Sequence, residues 1–192
     1  MAIRDKLILV DCDGVLCDWV YAFDNWMARH GYRKLHEKEY DLDKCYGIER
    51  SESKKLVRMF NESASIGFLP PFRDAIKYVR KLHEEHGFVF HCITSLSVEP
   101  DAIKLREKNL KRLFGETVFE KITSLDTGAD KDEALAVYKD TGCIWVEDKI
   151  ENADTGVNLG LDSYLMKHEH NKDYSGDAVV VKNWKELYDM IT

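Results

Sequence analysis

The sequence predicts an α/β protein, a doubly wound parallel sheet with a small helical cap inserted after the first strand. Short apolar runs of strand length recur along the 192 residues, and helical patterns of 3.6-residue period separate most of them. One stretch, directly after the first run, breaks the alternation and holds no convincing strand.

Leu7–Val10 is an unbroken apolar run, the pattern of a strand covered on both faces. Asp11 and Asp13 follow it, two apart and therefore on one side of an extended backbone, and Gly14 permits a sharp exit. From about Asp18 to Phe68 only helical patterns rich in aromatics and charge occur. A segment leaving the sheet there is expected to hang over its carboxyl edge as a lid. The division that follows is residues 1–17 and 69–192 for the core and 18–68 for the cap. Trp19, Phe23 and Trp26 have near-helical spacing, which reads first as packing.

After Pro70-Pro71, Ala75, Ile76, Val79 and Leu82 follow the helical period, and the strand Phe88–Ile93 then ends at Thr94-Ser95. Ile103, Leu110, Leu113 and Phe114 mark a helix stopping at Gly115. Its charges, Lys104, Arg106, Lys108, Lys111 and Arg112, read as a solvated face, as do Lys77, Arg80 and Lys81 earlier. A strand at Lys121–Leu125 is followed by Asp130, expected to cap a helix that carries Ala134, Leu135 and Tyr138 and stops at Gly142. Cys143–Val146 ends at Glu147-Asp148. Ser163–Met166 and Ala178–Val181 complete the strands, with His168-Glu169-His170 between them read as a solvated polar loop rather than a metal pair. Asn183 is expected to cap a last helix from Trp184 to Ile191.

The formal net charge of -7 argues against a nucleic-acid polymer as partner, because phosphate backbones select basic faces. No apolar stretch approaches the roughly 18 residues a membrane span needs, and Met1–Lys6 leads straight into the first strand. A cytoplasmic location, with no membrane partner, is the expectation. The five cysteines, Cys12, Cys17, Cys45, Cys92 and Cys143, are scattered and odd in number, which fits reduced core thiols. A homodimer is left open.

In a parallel sheet the carboxyl ends of the strands converge on one crevice. Asp11/Asp13, Thr94-Ser95, Asp130-Lys131 and Glu147-Asp148 all fall at such ends. Carboxylates ending buried strands are costly without a cation. One aspartate could attack an electrophile while the other handles a proton.

With Asp11-Cys12-Asp13-Gly14-Val15, Thr94, Lys131 and Glu147-Asp148 in this order, the chain resembles the haloacid dehalogenase-like hydrolase superfamily, whose four motifs match over nearly the whole length. The short helical insert, Gly67-Phe68-Leu69-Pro70-Pro71, Ile93-Thr94-Ser95 and Val146-Glu147-Asp148-Lys149 are similar to the 5'(3')-deoxyribonucleotidase family within it. That family carries an arginine two residues before the motif lysine. Ala129 stands there in this chain, so the arginine's contacts are not carried over.

The resemblance implies a Rossmann-like core and a magnesium-dependent phosphatase acting on a small phosphorylated substrate, a nucleoside monophosphate. Asp11 would attack phosphorus and form an aspartyl-phosphate, while Asp13 protonates the leaving oxygen and later activates water. Thr94 and Ser95 would hold phosphoryl oxygens and Lys131 would neutralise charge. Mg2+ would be held by Asp11, the Asp13 backbone carbonyl and Asp148, with phosphate and waters completing an octahedron; the adjacency of Glu147 leaves that last ligand uncertain by one residue. Phe68 or Trp19 would stack a base. The rival readings are a phosphatase for another metabolite, such as a sugar phosphate, and a phosphate-binding scaffold without turnover.

Overall fold

The computed structural model describes residues 6–36 and 39–192. Met1–Asp5, where the chain is expected to lead into the first strand, and residues 37–38 of the inserted segment lie outside the described residues. The strands are β1 (Leu7–Val10), β2 (Val89–Ser95), β3 (Phe119–Leu125), β4 (Ile144–Glu147), β5 (Asp162–Met166) and β6 (Val179–Val181). They form one sheet in the order β3-β2-β1-β4-β5-β6. Every pairing is parallel. The expected doubly wound α/β sheet is therefore present, and each anticipated strand falls within two residues of its place.

Parallel strands need a crossover between neighbours, and helices supply it. These are α4 (Ala75–His86), α5 (Pro100–Phe114), α6 (Asp132–Ala136) and α7 (Ile150–Asn158); the β5–β6 crossover holds only the 3-10 turn Glu169–Asn171, α8 (Trp184–Ile191) follows the last strand, and α1 (Trp19–Arg29), α2 (Leu42–Tyr46) and α3 (Arg50–Asn61) lie in the segment after β1. Side chains alternate across the sheet. Ile8 and Val10 belong to one apolar cluster with Phe90, Val79, Leu110 and Trp184. Leu9 faces the other layer with Ile93, Trp145, Leu135 and Leu161. All five cysteines are buried and free.

The chain winds outward from β1 to β3 and then returns across β1 to start β4, so the order of winding reverses between β1 and β4. That is where open sheets of this kind leave a crevice. The α1–α3 segment holds no strand among its described residues. Its Phe23, Trp26, Met27 and Phe60 join the same cluster as Ile8 and Val10. Buried Asn61 accepts the Trp19 indole N–H at 2.9 Å and donates to the Leu96 carbonyl at 2.9 Å, tying the end of α3 to the loop that leaves β2.

The helix after β3 departs from the sequence expectation. Lys131, not Asp130, occupies its N-cap position, and it ends at Ala136 with Tyr138 beyond it. Lysine is a poor N-cap. It stands there because its side chain is drawn inward by carboxylates. Asn183 does cap α8, accepting the Glu186 N–H.

Candidate active site

Asp11 follows β1, and its backbone N–H donates to the Val146 carbonyl at 2.9 Å, continuing the β1–β4 pairing to the point where the carboxylates begin. The Lys131 Nζ lies 2.6 Å from Asp11 Oδ1 and 2.7 Å from Glu147 Oε2. It arrives on the loop after β3, which the Ser95 hydroxyl pins by donating to the Ala129 carbonyl at 2.7 Å. The backbone at Ala129 thus holds the loop whose lysine reaches the crevice. Ser95 is committed to that loop.

Glu147 is saturated. Its Oε1 accepts the Asp148 and Lys149 N–H groups at 3.0 and 3.1 Å, and its Oε2 accepts Lys131 and the Asn152 amide, the latter at 3.2 Å. Burial works to raise the Glu147 carboxyl, but Lys131 and the backbone donors outweigh it and hold it below the ordinary range. Asp11 and Asp148 show the opposite balance. Burial, then the charge of Glu147, pushes Asp11 well above its ordinary value against the pull of Lys131. Burial, then Glu147 and Asp11, does the same to Asp148. Two buried carboxylates that repel each other and are not matched by Lys131 alone are suited to a cation.

Carboxylate oxygens of Asp11, Glu147 and Asp148 lie within 4.8 Å of one another. Gly14 permits this approach: its φ is +77°, and a Cβ there would stand 2.5 Å from Asp148 Oδ2. With Glu147 filled by its own donors, Asp11 and Asp148 are the side chains free to hold an ion. An all-oxygen set of this kind fits magnesium. Thr94, at the end of β2, is fully buried, and its hydroxyl has no hydrogen-bond partner among the described residues. Such an orphan is expected where a ligand completes the pairing.

Two expectations are corrected. Arg106 is not part of a solvated face: it is 0% exposed. It grips Asp13 with both arms of its guanidinium, at 2.6 and 3.0 Å, and also meets Cys12 Sγ. Burial pushes the Asp13 carboxyl up to about 6, with Arg106 opposing. The His168-Glu169-His170 loop is not solvated at its histidines. The His168 Nε2 lies 2.8 Å from the Gly14 carbonyl and the His170 Nε2 3.0 Å from the Asp148 carbonyl, and Asn171 donates to the latter at 2.8 Å.

Burial lowers both imidazoles, His168 to about 4, so each stays neutral and uses its N–H to fasten the Gly14 and Asp148 loops together. Both Nε2 atoms also lie within 4.8 Å of an Asp148 carboxylate oxygen. The carbonyls claim them first.

The aromatic candidates have other neighbours. Phe68 is 68% exposed, with the Arg112 guanidinium 5.4 Å from its ring. Trp19 stacks on Phe23 at 4.6 Å. Tyr40, an inserted-segment aromatic that sequence reasoning passed over, stands where the charges of Asp148, Glu147 and Asp11 reach it. Its ring lies 4.4 Å from His170, and partial burial and the charge of Asp148 raise its phenol to about 12.

No protein-family model matches the chain. An uncharacterized 32.4 kDa protein in the Gp30-rIII intergenic region of Enterobacteria phage T4 is 24% identical over 190 residues, covering 94% of this chain and 67% of that protein. Among solved structures, the haloacid dehalogenase-like family hydrolase SP0104 from Streptococcus pneumoniae superposes with a TM-score of 0.70 at 14% identity, over 98% of this chain and 99% of that one. The L-2-haloacid dehalogenase from Xanthobacter autotrophicus gives 0.64 at 13% identity, over 97% and 98%. CbbY from Rhodobacter sphaeroides, in complex with phosphate, gives 0.61 at 15% identity, over 95% and 96%. The fold is that of the haloacid dehalogenase-like hydrolases.

Proposed function

We propose that the chain is a magnesium-dependent phosphatase for a small phosphate monoester, with Asp11 as nucleophile and nucleoside monophosphates as the substrate class. The observation that carries the reading is the Lys131 ammonium bridging Asp11 and Glu147 where the sheet reverses its winding, with an Asp148 carboxylate oxygen within 4.8 Å of theirs and, at the end of the strand paired with β1, the Thr94 hydroxyl without a partner. Carbon–halogen cleavage calls for a carboxylate nucleophile but has no use for a proton donor at Asp13, because halide leaves unprotonated. A dianionic phosphate does call for a cation, and the carboxylates supply its oxygen ligands.

Asp11 and Asp148 would hold Mg2+, which when bound supplies charge that lets an anionic nucleophile approach an anionic ester. Asp11 attacks phosphorus and carries the phosphoryl group as an aspartyl-phosphate, while Asp13 gives a proton to the leaving oxygen and takes one from the water that follows. Thr94 donates to a phosphoryl oxygen. Lys131 offsets charge there and keeps the Asp11 carboxylate aimed. Residues 18–68 act as the cap over this crevice, and Tyr40, Trp19 and Phe68 are its aromatics for a base.

Phosphate release from ribo- and deoxyribonucleotides, sugar phosphates and p-nitrophenyl phosphate tests this. Activity should vanish in excess chelator and return with magnesium, less well with calcium, which takes more ligands at longer distances. Full activity in chelator overturns the mechanism, and no release from any ester leaves the scaffold reading. Sugar phosphates outpacing every nucleotide by about tenfold, or 1.4 kcal/mol, overturn the nucleotide assignment alone.

A second prediction separates the adjacent acids. Asp148→Asn should raise the magnesium concentration for half-activation by roughly tenfold or more, the scale on which ligand-set changes act. Glu147→Gln should shift it far less, because Glu147 is already filled by four donors. The reverse order in magnesium titrations would make Glu147 the ligand.

A further inference from the structure

A buried arginine is rare unless paired, and the pair it makes is informative. Arg106 sits on α5 among Ala102, Asn109 and Leu110, the buried face of the helix, with its side chain wholly enclosed. Its guanidinium does not reach a surface carboxylate. Nη1 donates to Asp13 Oδ1 at 2.6 Å and Nη2 to Asp13 Oδ2 at 3.0 Å. Two parallel N–H···O bonds fix the plane of a carboxylate as well as its position.

The Asp13 side chain keeps 26% of its surface exposed, whereas that of Arg106 keeps none. The arginine therefore lies beneath the aspartate, and the open edge of the carboxylate is turned away from the fork. Asp13 shares its short loop with Asp11, and that loop is closed by the Gly14 N–H to the Cys17 carbonyl at 2.9 Å. Nothing else among the described residues hydrogen-bonds to the Asp13 carboxylate.

We propose that Arg106 is a positioning residue for Asp13: the buried guanidinium fork sets the orientation from which Asp13 exchanges a proton with the leaving oxygen, and so governs how well the site handles esters with poor leaving groups. The inference rests on the phosphatase reading above. A general acid must lie within hydrogen-bond reach of the oxygen it serves, and small misplacements are expensive. Lysine at 106 would keep a positive charge but could not hold both oxygens in one plane.

The test compares p-nitrophenyl phosphate, whose leaving group hardly needs a proton, with a nucleoside 5'-monophosphate, whose alkoxide does. Arg106→Lys should lower kcat/KM for the nucleotide by at least about tenfold, part of the 10²–10⁴-fold that proton transfer contributes. For the nitrophenyl ester, kcat/KM, which reports only the steps up to transfer to Asp11 and not the water attack both esters share, should fall by less than about threefold, because Arg106 does not touch substrate. In an Asp13→Asn background the same substitution should leave the ratio of the two rates unchanged.

Thermal unfolding establishes that each variant is folded at the assay temperature, and Arg106→Met is the second variant should lysine fail to fold. Equal losses of kcat/KM on both esters would make Arg106 a structural residue and overturn the inference. A persisting selective loss in the Asp13→Asn background would show that Arg106 acts through another group, and would overturn it too. A wild-type protein that hydrolyses neither ester would instead overturn the phosphatase reading, and the inference with it.

Discussion

Asp11→Asn is expected to lower turnover at least about a hundredfold, a barrier increase near 2.7 kcal/mol, while the protein stays folded. An amide cannot attack phosphorus, and it brings no charge to a cation. What makes the result diagnostic is the separate direction expected for stability. In the folded protein burial and the charge of Glu147 disfavour the ionised Asp11 carboxyl, despite Lys131. Replacing it with a neutral group of the same shape relieves that repulsion, and Lys131 keeps Glu147 as its partner at 2.7 Å.

The metal-free variant should therefore unfold at a temperature equal to or above that of the wild type, as is common where an active site keeps charges in place for function. Magnesium, conversely, should stabilise the wild type more than the variant, since an ion bound only by the folded state raises its stability with the logarithm of its affinity. Turnover above about a hundredth of wild type removes Asp11 as nucleophile. A variant that unfolds well below wild type would mean that the lost activity reflects misfolding.

The parts of the fold legible in the sequence are those set by local period and chain punctuation. β1 and β4 are short, buried on both faces and therefore unbroken in apolarity, and Asn183 announces α8 by its cap. The convergence of Asp11, Lys131 and Glu147-Asp148 was also legible, because a parallel sheet brings the carboxyl ends of its strands to one edge.

Arg106 was misread for an instructive reason. It stands three residues after Ile103 and four before Leu110, which places it on the apolar stripe of α5 by the same period that defined the helix. Counting it with its charged neighbours set residue type above position. Asp13, its partner, lies 93 positions away in sequence, and no local pattern links the two. His168 and His170 were hidden in the same way, since their acceptors are backbone carbonyls of distant loops. The role of Ser95 turns on the Ala129 carbonyl, a backbone atom with no signature in the sequence. Tyr40 lies in a segment without period.

Lys131→Met should destabilise the protein by roughly 3–5 kcal/mol near pH 8, the range found when one partner of a buried ion pair is removed. For a chain of this size that lowers the melting temperature by roughly 6–20 °C. The ammonium lies 2.6 Å from Asp11 and 2.7 Å from Glu147 with 3% of its side chain exposed, so no solvent replaces it. Without it, Asp11, Glu147 and Asp148 face one another uncompensated, and protonation becomes the route to relief.

The sign of the pH dependence follows from that. Carboxyls whose folded-state pKa is raised bind more protons folded than unfolded, so stability falls as pH rises above their unfolded values. Asp11 and Asp148 are already raised in the wild type, and losing the lysine drives them further and removes the main force that keeps Glu147 low. The deficit relative to wild type should accordingly shrink between pH 8 and pH 5.5. Magnesium should recover part of it at pH 8, because a divalent ion supplies positive charge to the same carboxylates. Equal unfolding midpoints for the two proteins, or a deficit that does not change with pH, would show that Lys131 does not balance this cluster. The aim of Asp11 at phosphorus would then need another source.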